Sequence, residues 1–430
     1  MKIRTVLLTT CLTALPALAL AADRPNILLI IADDMGLDAS TCYAVGHQQA
    51  RMPNIQAMCD SGLVFDNAYS APVCTPTRAT IMTGQYSFRT GTGGAIPRDG
   101  TNGLSPDVTS LFDVLKDTDY SANLIGKWHL AGSDAGTNHP AELGVPNYWG
   151  LYKGGASPSY WEWSGVDNGT PVNVTEYATT AFTDRAIGWI EAQDTEKPWF
   201  LWLAYNAPHS PFHLPPAHLH TAGDLPTDEA SIAADPLPYF NAMLEALDTE
   251  IGRLLATLDD DTIVMFIGDN GSPNQVTRGF YGDHGAKGTI YEGGTHVPFV
   301  VSGPGIQQGR TDALFQTPDL FTTIAGMTGA KAPATDGVDF APVLTGGTSQ
   351  RDHFYVEHFS DYEPMRSDVY GWALRMGDHK LVAVEGAEPV LYDLATDPME
   401  AVDLLADGVS DDEAAIRDRL QSRVDAIRAK

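Results

Sequence analysis

Four apolar runs punctuate the chain, and each stops at polar residues. Residues 26–32 run into Asp33-Asp34, 120–126 into Lys127-Trp128-His129, 199–205 into Asn206-Ala207-Pro208-His209, and 262–268 into Asp269-Asn270. Runs that are apolar throughout, rather than alternating, predict strands buried on both faces of a sheet. Helical patterns over 179–193 and 239–258 lie between them. This alternation predicts an α/β fold with a large, mostly parallel sheet flanked by helices. In such sheets ligands sit beyond the carboxyl ends of the strands. One strand ending in a polar residue is unremarkable. Four that deliver Asp, Lys, His and Asn to one edge predict a site for metal and proton chemistry.

Past residue 345 the pattern changes. Short strands at 353–359, 371–384 and 390–393 read as antiparallel, and 411–429 reads as a charged, amphipathic terminal helix. These predict a small α+β subdomain over 346–430, with the boundary in 344–349, after a larger domain over 22–345.

The first 21 residues read as an export signal. Lys2 and Arg4 precede an apolar stretch over 6–20, and Ala19-Leu20-Ala21 has the small-x-small pattern of a cleavage site. The alternative, a membrane anchor, is disfavoured by the shortness of the run and by Pro16. The expectation is a periplasmic or secreted protein with no membrane span after signal removal. Loss of Lys2 and Arg4 takes the formal charge from -29 to -31. Such a charge argues against nucleic acid or an anionic membrane as partner. An anionic substrate would have to be held by local cations against the global field.

The strongest local signal is Cys74-Thr75-Pro76-Thr77-Arg78, which leads through Ala79 to Thr83 into Gly84. Pro76 suits the first turn of a helix. That puts Cys74 at a helix N-terminus, where free N–H groups and the helix dipole favour an anion. Arg78, one turn on, adds a fixed cationic fork. By itself Cys74 reads either as a structural cysteine or as an activated sulfur beside an anion site.

The flanking pattern resembles the signature of type I sulfatases, in the alkaline-phosphatase-like superfamily. Further motifs extend the resemblance over nearly the whole mature chain. They are Pro25-Asn26 to Asp34, Met52-Pro-Asn-Ile55 to Tyr69, Gly126-Lys-Trp-His-Leu130, Gly285-Ala-Lys-Gly-Thr289 with Tyr291-Glu-Gly-Gly294, and Leu391-Tyr-Asp-Leu394 with Asp397-Pro398. The resemblance implies that a dedicated maturation enzyme oxidises Cys74 to formylglycine. It makes 22–345 the catalytic domain.

Asp33, Asp34, Asp269 and Asn270 offer hard oxygen ligands, and hydrated residue 74 would offer another. An all-oxygen set selects Ca²⁺ or Mg²⁺ over Zn²⁺, and the resemblance favours calcium. The cationic set is Arg78, Lys127, His129, His209 and Lys287. By resemblance, Lys127 and Lys287 contact sulfate oxygens, and His129 assists release of sulfate from the formylglycine. Lys287 and His209 lie near the leaving group, and either could protonate the departing alcohol. His213 competes for the role of His209. The implied reaction is attack on sulfur by one hydroxyl of the hydrated formylglycine, aided by the metal and Asp269. The second hydroxyl then loses its proton, expels sulfate and regenerates the aldehyde.

The expected substrate is a sulfated small molecule or saccharide, with carbohydrate favoured over aryl sulfate. Phosphodiester or phosphonate monoester hydrolysis on the same fold is the alternative. A non-enzymatic anion-binding descendant would have lost site residues that Arg78, Lys127, His129 and Lys287 here retain. Segment 150–175 carries Tyr152, Tyr160, Trp161 and Trp163, just after Tyr148. It reads equally as a packed insertion or as an aromatic rim that stacks on a sugar or aryl ring. Cys11 would leave with the signal. Cys42 and Cys59 then remain as either a disulfide or two buried thiols.

Overall fold

The computed structural model describes residues 24–46, 49–101, 103–359 and 370–429. The signal segment expected over 1–21 lies outside them. Among the described residues a ten-stranded sheet forms the centre of the molecule. Thr262–Gly268, Asn26–Ala32, Trp199–Ala204 and Ser121–Gly126 are consecutive neighbours within it, and all four run parallel. Their register is nearly flush: Ala32 pairs with Gly268, Ile31 with Ala204, and Ala204 with Gly126. The polar residues that follow each strand therefore leave the sheet along a single line.

Side chains alternate across each strand, so Asn26–Ala32 feeds two cores. Ile27, Leu29 and Ile31 pack on one face with residues of helices Cys74–Thr83, Leu111–Leu115 and Pro318–Thr328. Leu28, Ile30 and Ala32 pack on the other with helices Pro53–Ser61, Ala178–Glu191 and Leu237–Leu255. Each buried Leu or Ile contributes about 1.5–3 kcal/mol. The two-sided cover explains why these strands are apolar throughout. Toward its edges the sheet is mixed. Phe299–Ser302 runs antiparallel to Thr262–Gly268, and Trp163–Asp167 and Thr170–Val174 form a hairpin at the far side.

That hairpin belongs to the aromatic segment, and packing accounts for most of it. Tyr148, Tyr152, Tyr160 and Trp163 are buried. The Trp163 ring meets Trp149 at 5.4 Å and Phe182 at 5.3 Å, and its Nε1 donates to the Glu176 carbonyl at 3.1 Å. Trp161 alone of the group stays exposed, at 41%. Cys42 and Cys59 are joined as a disulfide with Cα atoms 6.0 Å apart. The bridge ties the loop after the first strand to helix Pro53–Ser61. At a sequence separation of 17, such a closure stabilises by about 3 kcal/mol.

Phe354–His358, Gly371–Met376, His379–Val384 and Val390–Asp393 form a separate antiparallel sheet of four strands. Helix Asp411–Arg428 lays Leu420, Val424 and Ile427 against Leu374, Leu381 and Leu391. A capping box between Ser410 and Glu413 starts that helix. The contact between this sheet and the body includes buried charge. The Lys380 ammonium is fully buried between Glu292 (2.8 Å) and Glu400 (2.9 Å). Glu292 also accepts from the Tyr69 hydroxyl at 2.8 Å and faces His296 Nδ1 at 3.1 Å.

Removing one partner of such a group leaves charge uncompensated. Lys380→Met is expected to lower the free energy of unfolding by about 3–5 kcal/mol, measured by urea titration at pH 8. Burial pushes the Glu400 carboxyl up to about 7, with Lys380 opposing and Glu292 adding to the rise. Without Lys380 its folded value rises further. An acid whose folded pKa is raised loses stability as pH climbs from the unfolded to the folded value. The deficit of the variant should therefore be smaller at pH 6 than at pH 8.

Candidate active site

Cys74 is the first residue of helix Cys74–Thr83, after an extended Val73. The helix therefore begins two residues before Pro76. Thr77 fastens it to the sheet: its hydroxyl donates to the Asp269 carbonyl at 2.7 Å and accepts from the Ala71 amide at 3.0 Å. Cys74 is buried, and its Sγ lies 3.2 Å from His129 Nδ1. His129 Nε2 lies 2.8 Å from the Ile96 carbonyl. A carbonyl can only accept, so Nε2 carries the proton and Nδ1 turns its lone pair to Cys74. Burial, reinforced by Lys127, pushes the imidazole pKa down to about 3 and keeps the ring neutral.

The four strand ends converge beside this sulfur. Arg78 reaches Asp33 at 3.3 Å and Asp269 at 3.1 Å, and donates to the Lys127 carbonyl at 2.9 Å. The Lys127 ammonium pairs with the same oxygen of Asp33 that Arg78 reaches. Asp34 sits at φ 69° and donates its amide to Asp269 at 2.9 Å. Its carboxylate pairs with Lys287, accepts from Asn270 at 2.8 Å, and faces His209 Nε2 at 3.8 Å. Burial alone would raise the Asp34 pKa. Lys287, with His209 and Lys127, overrides it and holds the carboxyl below the usual range. Asp269 goes the other way: burial, then the charge of Asp33, push it well up, with Arg78 opposing. Burial alone would lower the Lys287 pKa, but Asp34, together with Cys74 and Asp33, overrides it and raises the value. Burial brings His209 down to about 4, with Asp34 opposing.

Residues of these types can hold a divalent cation. Asp33, Cys74 and Asp269 offer atoms within 4.8 Å of one another, and so do Asp33, Asp34 and His209. Two buried oxygens, Asp33 Oδ1 and Asn270 Oδ1, have no hydrogen-bond partner among the described residues. A buried orphan oxygen is costly unless a cation or water meets it. The carboxylates of Asp33, Asp34 and Asp269 balance Arg78, Lys127 and Lys287 in charge. A divalent ion would leave the cluster positive, as an anionic ligand requires. The residues therefore fit a hard cation with oxygen ligands.

All ten residues expected from the sequence fall in this one cluster. They differ in depth. Asp33, Asp269, Asn270, Arg78, Lys127 and Cys74 are at most 2% exposed, whereas the side chains of His209 and Lys287 are 19% and 22% exposed. The mouth is on their side. His213 does not reach it. Its Nε2 meets the Tyr177 hydroxyl at 3.0 Å and its Nδ1 meets the Pro211 carbonyl at 2.8 Å. Sequence reasoning missed Gly154 and Gly155. A Cβ on Gly154 would lie 2.7 Å from His129 Cε1, and one on Gly155 would lie 3.5 Å from His209 Cε1. The glycine pair was the available signal for a close approach. The Ile96 carbonyl left none, because a backbone acceptor does not depend on residue type.

A family model described as Sulfatase matches residues 25–330, and one described as N-sulphoglucosamine sulphohydrolase, C-terminal, matches 282–430. Human arylsulfatase A is 29% identical over 92% of this chain and 86% of its own. N-acetylgalactosamine-6-sulfatase of Sus scrofa is 31% identical over 78% and 69%. The crystal structure of Ps i-CgsB in complex with k-i-k-neocarrahexaose has a TM-score of 0.77 at 26% identity, covering 94% of this chain and 92% of that one.

Gly154→Ala is expected to displace the His129 ring and lower turnover of a chromogenic sulfate ester by at least about tenfold. The thermal midpoint should fall as well, since the added methyl would lie 2.7 Å from a buried ring that must shift. Steady-state kinetics with a melting curve would check both.

Proposed function

The chain belongs to the sulfatase family of the alkaline-phosphatase-like superfamily and is a sulfuric ester hydrolase, and we propose that it removes sulfate from carbohydrate through formylglycine at position 74 and a bound calcium ion. The observation that carries this reading is the meeting of Cys74, at a helix N-terminus, with Asp33, Asp34, Asp269 and Asn270. The sugar preference draws support from the relative named N-acetylgalactosamine-6-sulfatase and from the k-i-k-neocarrahexaose in complex with Ps i-CgsB.

Calcium would be held by Asp33, Asp34, Asp269, Asn270 and the modified residue 74, after a maturation enzyme has oxidised Cys74. When present, formylglycine supplies a hydroxyl nucleophile and calcium supplies charge for the sulfate oxygens. The remaining work falls to the chain's own side chains. Arg78 holds Asp33 and Asp269 in place and keeps the region beside residue 74 positive. Lys127 and Lys287 stabilise charge on the sulfate oxygens. His129, neutral with a free Nδ1 toward residue 74, takes a proton there when sulfate is released. Lys287 and His209, at the mouth, serve the departing alcohol. Lys287 is held protonated by Asp34, which favours it as the donor. We place the catalytic domain at 22–345 and the smaller subdomain at 346–430, a division supported by the separate four-stranded sheet.

We assign the protein to the periplasm or the exterior, after loss of 1–21. The Cys42–Cys59 disulfide supports an oxidising compartment. No helix of the described residues is long and apolar enough to cross a membrane.

Mass analysis of the Cys74 peptide from active enzyme should find an aldehyde or its hydrate. The same enzyme should be assayed on 4-O- and 6-O-sulfated hexosamines and their oligosaccharides, an aryl sulfate, a phosphodiester and a phosphonate monoester. An unmodified thiol in active enzyme, or phosphodiester turnover above that of every sulfate, would overturn the reading. Calcium at about a hundred times its Kd should add about 2.7 kcal/mol of stability. Chelation should reverse this, and Asn270→Ala should blunt it, as read from melting curves. Lys287→Ala is expected to lower kcat by about 10²–10³, measured under saturating substrate.

A further inference from the structure

We propose that Trp161 determines specificity by stacking its exposed indole face on a pyranose ring of the saccharide on the leaving-group side of the site. This rests on the carbohydrate reading above and adds a subsite to it. Exposure alone would be a weak argument, since single surface hydrophobics are common. The case comes from how the ring is held and where.

The indole is buttressed before any ligand arrives. Its centroid lies 5.3 Å from the Tyr177 ring and 4.8 Å from the His213 ring. Those two are buried and joined by a 3.0 Å hydrogen bond between the Tyr177 hydroxyl and His213 Nε2. The backbone is pinned as well: Ser159 Oγ accepts from the Trp161 amide at 3.2 Å and from the Glu162 amide at 3.1 Å. A ring fixed in this way loses little freedom on binding, which favours affinity.

The platform is also coupled to the mouth. The adjacent Tyr160 hydroxyl lies 2.6 Å from the His209 carbonyl. Gly155, earlier in the same segment, faces the His209 ring. The wall that carries Trp161 is thus fastened to the residue at the leaving-group side. The neighbouring aromatics Tyr160 and Trp163 are fully buried, whereas Trp161 rests one side on Tyr177 and His213 and leaves 41% of its surface exposed. An aromatic face takes the C–H groups of a sugar ring against its negative π-cloud. It does so without placing a carboxylate beside an anionic ligand, in a chain of charge -29.

The test compares wild type, Trp161→Ala and Trp161→Phe on the sulfated oligosaccharides, their monosaccharides and the aryl sulfate named above. Trp161→Ala should lower kcat/KM for the best oligosaccharide, relative to that for the aryl sulfate, by about tenfold, carried mainly by KM. Trp161→Phe should recover most of that ratio. An unchanged ratio, or an equal loss on every substrate, would overturn the proposal while leaving the carbohydrate reading intact. If wild type cleaves the aryl sulfate but no sulfated saccharide, the carbohydrate reading fails and this subsite with it.

Discussion

The site depends on one electrostatic constraint: three carboxyl groups and three cations crowd one largely buried sheet edge, where each must be offset by the others. Each charge buried alone would cost several kcal/mol. Each cation comes from a different element. Arg78 comes from the helix that Cys74 begins, Lys127 from the end of Ser121–Gly126, and Lys287 from the loop after Asn270. Moving the helix would unpair Asp269 and moving the Lys287 loop would unpair Asp34, while Arg78 and Lys127 converge on Asp33 and tie the helix to the strand end. Compensation inside the cluster therefore also positions the helix N-terminus. The Thr77 hydroxyl, bound to the Asp269 carbonyl at 2.7 Å, adds a second lock between helix and strand.

Two residues of the cluster adopt left-handed backbone, Asp34 at φ 69° and His129 at φ 49°. Such conformations cost about 1–3 kcal/mol each in non-glycine residues. Asp34 and His129 stand two and three residues past Asn26–Ala32 and Ser121–Gly126, strands that end flush with their neighbours. A chain continuing in extended form would carry these side chains past the sheet edge. The left-handed turn instead brings the Asp34 carboxylate back to Lys287 and Asn270, and the His129 ring back to Cys74. Strain at two positions is offset by pairing and hydrogen bonding across the rest of the cluster.

Much of this was legible in the chain. Apolar runs ended by Asp33-Asp34, Lys127, Asn206 and Asp269-Asn270 identify both the parallel sheet and the edge that bears the site, because full burial and strand-end chemistry leave separate marks. What stayed hidden was long-range and geometric. The aromatic segment could be core or rim from composition alone. Only the alternation of the Trp163 hairpin against Trp149 and Phe182 divides it into a packed part and one exposed ring. His209 and His213 were indistinguishable as residues, and the Tyr177 hydroxyl separates them by holding His213 away. Lys380, some ninety residues from Glu292 in sequence, carries no motif. Its burial follows from how the second sheet docks.

The depth of the groups suggests how chemistry and selectivity are divided. Asp33, Asp269, Asn270, Arg78 and Lys127 are at most 2% exposed, the charged ones bound by ion pairs and Asn270 by its hydrogen bond to Asp34. A change in any of them unbalances the rest. The wall formed by 154–161 is held otherwise. It meets the two histidines through glycine backbone at Gly154 and Gly155, and it is tied to residue 209 through a hydroxyl on a carbonyl. Those contacts constrain where the backbone runs but leave the outward side chain at Trp161 free of any role in charge balance. A substitution there would alter what the mouth accepts without disturbing the charges that act on the sulfate. On this architecture, selectivity for the leaving group can vary independently of the reaction, because the two are fixed by different physics in adjoining parts of one site.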